Sequence, residues 1–311
     1  MKIAVAGATG RVGRRIAEVL TERAHEVVCI ARSTGVDVIS GAGLDAALTG
    51  VDVIVDAATG PSPEEQPATE FFVTAAHNMQ EAGARSGVQR AVVVSIIGTD
   101  KSAGGYGAAK IAHERAWRSG PLPVTVLRAA QFHEFVGLLV DWGTQRDVAY
   151  VPEMRTQLVA ARAVAEEAAD LATMPNPPEL QEIAGPREES MVAMATLLAA
   201  RRGLALKVQG VRSPSDPDAE LQATAGCCQA RRRCWPAPRM SSGWRRAPER
   251  RSLFTRDPEV LDAVRHDESR RALCGGAELS RWPAAWSRRP VAGDGHLCGC
   301  AIGDDGLPPG R

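Results

Sequence analysis

The chain has 311 residues, 44% of them apolar and 24% charged, which is ordinary for a globular α/β protein. Lysine plus arginine (37) balances aspartate plus glutamate (37), so no overall basic field exists to hold nucleic acid. No apolar run approaches the roughly 20 residues of a membrane span, and MKIAVAGATG does not read as a signal peptide. A cytoplasmic location is therefore expected, with neither a membrane nor a nucleic acid as partner.

Residues 2–6 (KIAVA) form a short apolar run expected to be a buried strand. Gly7-Ala-Thr-Gly10-Arg-Val-Gly13 follows, and then a helical pattern with Val12, Ile16, Val19 and Leu20 on one face. Further strands are expected over 26–31, 51–58, 90–95 and 123–129, with helices near 44–49, 68–86 and 106–118. Strands and helices alternating at this interval predict an α/β fold with a doubly wound parallel sheet. The link after Arg32 is too short for a full crossover helix, so that unit is abbreviated. Beyond residue 150 the pattern is mostly helical and less regular.

A glycine-rich turn with a strand before it and a helix after it points to a dinucleotide site, against the competing reading of a tight βα turn with no ligand. Gly7 permits the tight turn, Gly10 lets backbone approach a pyrophosphate, and Gly13 lets helix and strand pack closely. The helix N-terminus supplies free N–H groups to the anion, so Thr9, Arg11 and Val12 join the glycines as candidate cofactor contacts. The second strand ends at Ala31-Arg32-Ser33, with arginine where an NAD enzyme usually carries an acid. A guanidinium at Arg32, with Arg11 in the loop, suits a 2′-phosphate and favours NADP over NAD. The competing reading of Arg32 is a solvated surface arginine.

Tyr106-Gly-Ala-Ala-Lys110 opens a helix, and a spacing of four places both side chains on one face. A lysine beside a tyrosine is expected to lower the phenol pKa, making Tyr106 a usable proton donor or acceptor for a carbonyl–alcohol pair. Ser95 stands 11 residues earlier, at an expected strand end on the ligand-binding edge of the sheet. Gln131, His133 and Glu134 follow the strand at 123–129. His133 could relay a proton, while the blander reading of the three is a polar cluster pinning a loop. No ligand set at metal spacing accompanies them, and metal binding is not expected.

GATGRVG (7–13), VVVSIIGTD (92–100), YGAAK (106–110) and especially LRAAQFHEF (127–135) resemble the NmrA-like NAD(P)-binding subgroup of the atypical short-chain dehydrogenase/reductase superfamily, known in bacteria. The helical stretch NMQEAGARSGVQR (78–90) and AGPREES (184–190) share the likeness, which spans about residues 1–222. The resemblance implies an NAD(P)-binding Rossmann domain over 1–150 and a small substrate lobe over 151–225. It implies Ser95 polarising a substrate oxygen, Tyr106 transferring the proton, and Lys110 holding the nicotinamide ribose. It places Ala57 and Ala58 along the cofactor, and Gln131 and His133 near the substrate. The implied activity is NADP-dependent oxidoreduction of a small carbonyl or alcohol. The alternative within the same subgroup is a non-catalytic NADP-binding redox sensor acting through a protein partner.

The last 86 residues differ in kind. Residues 226–311 hold 16 arginines against ten acidic residues, a net of about +6, together with six of the seven cysteines and no lysine. A zinc module, a basic nucleic-acid arm and an unselected sequence are the three readings of that composition. The subgroup's usual ending, of the type LLPGP…LAGPTxxEWL, is missing. Back-translating residues 226–245 with GC-rich codons and shifting the frame by two nucleotides reads LLPGP and then, with suitable third bases, LLAGPT, one ambiguous residue and VEWL. The tail is therefore expected to be an out-of-frame, irregular and disordered segment that leaves the substrate lobe truncated.

Overall fold

The fold is given by a computed structural model that describes residues 1–224. The expectations for 226–311 lie outside the described residues. In chain order, β1 (Lys2–Ala6) leads to α1 (Arg11–Glu22), β2 (Glu26–Ile30), α2 (Leu44–Leu48), β3 (Val53–Asp56) and α3 (Glu65–Arg85). Next come β4 (Arg90–Ile96), α4 (Gly105–Ser119), β5 (Val124–Ala129) and α5 (His133–Gly143). The remaining elements are β6 (Thr144–Gln145), β7 (Val148–Pro152), β8 (Arg155–Thr156), α6 (Ala161–Thr173), β9 (Leu180–Ile183), β10 (Glu189–Ser190), α7 (Met191–Arg201), β11 (Lys207–Val211) and α8 (Ala219–Ala223).

Six of these strands form one parallel sheet in the order β2-β1-β3-β4-β5-β9. The inner strands β1, β3 and β4 read as near-continuous apolar runs because both faces are covered, whereas the edge strands β2 and β9 are more exposed. On one face Ile16, Val19 and Leu20 of α1 pack with Val164, Ala168 and Leu171 of α6 over Val5, Val55 and Val92. On the other, Leu44 and Leu48 of α2, Met79 of α3 and Trp117 of α4 pack over Ala4, Ile54 and Val93. The expected doubly wound α/β arrangement is the one found. After β2 the chain makes only a 3-10 turn (Arg32–Thr34) before the five-residue α2, so that crossover is indeed abbreviated.

A second, smaller core joins α5 and α7 to β7 through Val136, Leu139, Val140, Val151, Met191 and Ala195. Its sheet runs β11-β7-β6, with β10-β8 as a separate antiparallel pair. Between these elements the chain returns to the first layer, where α6 packs on α1 and β9 becomes the sixth strand. Among the described residues no helix is long and apolar enough to cross a membrane.

The order of strands places β1 between β2 and β3, so the crossovers leave β1 and β3 toward opposite faces and open a crevice at their C-terminal ends. Close approach there demands glycine. A Cβ on Gly13 would lie 2.2 Å from the Gly7 carbonyl oxygen. Gly7 has φ +73°, and a Cβ on it would meet the Ala57 oxygen at 2.7 Å and the Ala58 Cα at 2.8 Å. Gly13→Ala is expected to destabilise the fold by about 1–3 kcal/mol, because backbone rather than a flexible side chain must move aside. A urea midpoint equal to that of the wild type would contradict this.

Candidate functional site

The glycine-rich turn is built by backbone bonds. Gly7 N–H donates to the Ile30 carbonyl at 3.0 Å and Gly10 N–H to the Gly7 carbonyl at 2.8 Å. Helix α1 then starts with no side-chain cap, which leaves its first N–H groups to an external acceptor. Thr9, Gly10 and Arg11 are exposed, Val12 is half-buried and Gly13 is buried. Arg32 is exposed at the end of β2, and neither it nor Arg11 has an ion-pair partner among the described residues. Ala57 and Ala58 follow β3 and abut Gly7 across the crevice. The glycine turn thus lies against Ala57 and Ala58, with Arg11 opening α1 and Arg32 just after β2, the strand whose Ile30 carbonyl accepts from Gly7.

The residues assigned to proton transfer separate into two networks. Ser95, 2% exposed near the end of β4, donates from Oγ to Glu114 Oε1 at 2.6 Å. Glu114 is in turn clamped by Arg128, from Nε to Oε1 at 2.9 Å and from Nη2 to Oε2 at 2.8 Å. Arg128 reaches on from Nη1 to Asp100 Oδ1 at 2.9 Å. Burial works to raise the Glu114 carboxyl, but the hydrogen bonds from Arg128 and Ser95 outweigh it and hold the group below its ordinary range. Ser95 spends its only proton inside this cluster.

Tyr106 and Lys110 share a different surface, the ring of Phe72 on α3. Tyr106 meets that ring edge-on with centroids 5.8 Å apart, and the Lys110 ammonium stands 4.4 Å from its centroid. The Lys110 Nζ donates to the Val94 carbonyl at 2.9 Å and lies 3.0 Å from His113 Nδ1. Those two contacts and the ring face occupy its three protons. The expectation that Lys110 lowers the Tyr106 pKa is not met. Burial pushes the phenol up to about 12, while the Lys110 ammonium hydrogen-bonds Val94 and lies against His113. Burial also brings Lys110 down to about 8, against the opposing pull of Asp56 and Glu114.

Beneath Lys110 lies a set of residues that the sequence reading missed. His113 Nε2 is 2.8 Å from Asp56 Oδ2, and Trp117 Nε1 donates to the same oxygen at 2.8 Å. Asp56 Oδ1 accepts the Ala58 N–H at 2.9 Å, tying the network to the cofactor crevice. Asp56 and His113 are each 1% exposed. The signal was present: Lys110, His113, Glu114 and Trp117 recur at helical spacing on the buried face of α4, where apolar residues belong. The turn that opens α4 is also pinned. Gly105 N–H donates to Glu65 Oε2 at 2.7 Å and Ala103 N–H to Asp218 Oδ1 at 2.7 Å, while Ser102 Oγ bonds the same Asp218.

Residues 131–134 are woven into the chain at 157–161. Val159 N–H donates to the Gln131 carbonyl at 3.0 Å, and His133 N–H to the Val159 carbonyl at 3.1 Å. Both Glu134 carboxylate oxygens accept the Ala161 N–H, at 3.3 Å each, and so cap α6. Gln131 and His133 are half-buried. Pinning of the loop, the blander of the two readings, is what Glu134 does here.

The sequence model of a family described as NAD(P)H-binding matches residues 7–175. No curated protein sequence matches. Among solved structures, the NADPH-dependent quinone oxidoreductase of Escherichia coli, complexed with NADPH, is 18% identical, with a TM-score of 0.55 over 72% of this chain and 88% of that one. The UDP-glucose 4-epimerase of Thermus thermophilus, in complex with NAD, is 18% identical, with a TM-score of 0.58 over 70% and 89%. A dTDP-4-dehydrorhamnose reductase from Clostridium acetobutylicum is 17% identical, with a TM-score of 0.57 over 68% and 84%. At these identities the likeness is one of fold.

The depressed Lys110 predicts a signature in stability. Its proton is held less tightly in the folded state (about 8) than at the ordinary 10.5 of the unfolded chain. Between those values the unfolded chain binds more protons, so the Lys110 contribution to stability rises with pH. Urea midpoints measured at about pH 7 and about pH 9.5 should show a rise in the wild type that Lys110→Met removes. An identical pH dependence in the two proteins would contradict the burial of a charged Lys110.

Proposed function

This chain belongs to the NAD(P)H-binding family, and we propose that it is an NADP(H)-dependent oxidoreductase acting on a small carbonyl or alcohol. The observation that carries the reading is the placing of Tyr106 and Lys110 on one surface, the Phe72 ring, by the helix that opens on the turn held by Glu65 and Asp218. Gly7, Thr9, Gly10, Arg11, Val12 and Gly13 would hold the pyrophosphate, Ala57 and Ala58 would flank the dinucleotide, and Arg32 with Arg11 would take the 2′-phosphate. The cofactor supplies or accepts hydride. Tyr106 would give a proton to the carbonyl oxygen in reduction, or remove it from the alcohol in oxidation. With its pKa near about 12 the phenol is fully protonated at neutral pH, which suits it to donate in the direction of reduction.

The parts assigned by resemblance to Ser95 and to Lys110 as a ribose ligand are withdrawn from this reading, since the Ser95 proton goes to Glu114 and the buried Lys110 ammonium is taken up by Val94, His113 and the Phe72 ring, which leaves Lys110 a place beside Tyr106 at the nicotinamide end. The same observation favours a second reading, a redox sensor that binds NADP(H) without turnover and answers to a protein partner. Oxyanion donors are worth several kcal/mol to acyl- and carbonyl-group chemistry, and here the serine that would serve is committed elsewhere.

Titration with NADPH and NADH measures the first claim. NADPH should bind more tightly, and Arg32→Ala should remove most of the preference, a loss on the order of 1–2 kcal/mol for a charge-assisted contact to phosphate. Equal affinities in the wild type would overturn the assignment of NADP.

Turnover of NADPH against a panel of aldehydes, ketones and quinones measures the second. Tyr106→Phe should reduce the rate by about 10²–10⁴-fold while leaving cofactor affinity within about twofold of the wild type. Turnover unaffected by this change would remove Tyr106 from the chemistry. Tight NADPH binding with no turnover on any member of the panel would replace the reductase reading by the sensor.

A further inference from the structure

Lys110 is held from below. Its ammonium can only donate hydrogen bonds, so the contact of 3.0 Å to His113 Nδ1 makes that nitrogen the acceptor. The ring proton must then sit on Nε2 and be donated to Asp56 Oδ2 at 2.8 Å. This tautomer settles a third contact as well. Trp117 Nε1 lies 3.1 Å from His113 Nε2 and 2.8 Å from Asp56 Oδ2, and with Nε2 protonated only the carboxylate can accept the indole proton. The imidazole is stacked on Phe72, with centroids 4.6 Å apart and planes 29° apart, so its orientation is fixed by packing as well as by hydrogen bonds.

We propose that His113, anchored by Asp56, is the positioning residue that sets the place and the proton affinity of Lys110 beneath Tyr106. The device rests on the assignment of Lys110 to the nicotinamide end of the site. It consists of a buried carboxylate, a neutral imidazole and an ammonium in series, with the charges of its two ends cancelling. Such a series allows a charged lysine to be kept in the core, where an isolated charge would be strongly disfavoured. Asp56 also accepts the Ala58 N–H, so the residue that anchors His113 is the one that shapes the β3 end of the cofactor crevice. Lys110 and the dinucleotide site therefore share a single anchor.

The charged and titratable groups facing this series are few. Asp56 comes from β3, and Tyr106, His113 and Glu114 come from α4, with Glu114 itself paired to Arg128 of β5. Among the described residues, α3 contributes the Phe72 ring and β4 the Val94 carbonyl. Burial first, and the neighbouring ammonium second, hold His113 below its ordinary pKa, in keeping with a neutral ring at physiological pH.

Nuclear magnetic resonance of the full chain tests this without reference to turnover. The sequence holds six histidines and only four lysines (Lys2, Lys101, Lys110 and Lys207), which makes assignment of 15N ring shifts and 13Cε shifts practicable. His113 should show a neutral ring with its proton on Nε2 at neutral pH and should titrate below the value of about 6.5 of an unperturbed histidine. In His113→Phe, which keeps the stacked ring and removes both hydrogen bonds, the Lys110 midpoint should fall by about one to two pH units. Asp56→Asn should lower it as well. A proton on Nδ1, ordinary titration of His113, or an unmoved Lys110 midpoint in His113→Phe would overturn the proposal. If neither variant folds, the wild-type 15N shifts still decide between the two tautomers. Absence of turnover would count against the oxidoreductase reading and leave these measurements intact. Where turnover is found, the pH–rate profile of His113→Phe should move with the Lys110 midpoint. A lower rate with an unmoved profile would show that His113 only packs.

Discussion

One buried carboxylate organises the ligand edge of this protein. Asp56 ends β3 at 1% exposure and uses both oxygens, one on the Ala58 N–H and the other on His113 and Trp117. Placing an anion there is costly unless every lone pair finds a donor. The donors come from two elements distant in sequence, the turn after β3 and the middle of α4, so satisfying the charge fixes how α4 lies on the sheet. Tyr106 and Lys110 belong to the same helix, and their place relative to the glycine turn follows from that fixing. Burial pushes the carboxyl up, but its interaction with His113, then the Ala58 N–H and last the Lys110 ammonium outweigh that and hold it below its ordinary pKa.

The second buried cluster, Ser95–Glu114–Arg128, works in the same way on the other side of Val94. Glu114 and Lys110 are four residues apart on α4 and feel each other's charge, yet their hydrogen bonds go to different partners, Lys110 to the Val94 carbonyl and Glu114 to Ser95 and Arg128. That division explains why a motif that looks like one catalytic set resolves into a pair packed on the buried Phe72 ring and a serine bonded to Glu114. A short hydrogen bond from a buried hydroxyl to an ionised carboxylate is strong and hard to exchange for a transient one to substrate.

Much of this was legible in the amino-acid sequence, and the remainder was hidden for physical reasons. The strand–glycine–helix arrangement over 2–22 could be read because each glycine answers a steric demand that involves only near neighbours in sequence, such as Gly13 against the Gly7 carbonyl. The strands at 2–6, 53–56 and 90–96 could be read because a doubly covered sheet makes them nearly continuously apolar, and the edge strand at 26–30 could be read from its Val27-Val28-Cys29-Ile30 run. The fate of Ser95 could not, since it depends on which face of β4 the side chain leaves and on a partner 19 residues away. The direction of the Tyr106 shift failed for the same reason. Spacing of four places Lys110 near the tyrosine, but the contacts that draw its ammonium away, Val94 and His113, are set by tertiary packing. His113 and Trp117 carried a helical polar periodicity that becomes meaningful only once Asp56 is known to face them.

The central claim is that the crevice between β1 and β3 is a nicotinamide dinucleotide site with its reactive end at Tyr106. A crystal structure with NADPH tests it most directly. The account predicts the pyrophosphate on the free N–H groups at the start of α1, the 2′-phosphate within reach of Arg32 or Arg11, and the nicotinamide ring facing Tyr106. A dinucleotide bound with its 2′-phosphate away from both arginines, or with its nicotinamide remote from Tyr106, would contradict the account.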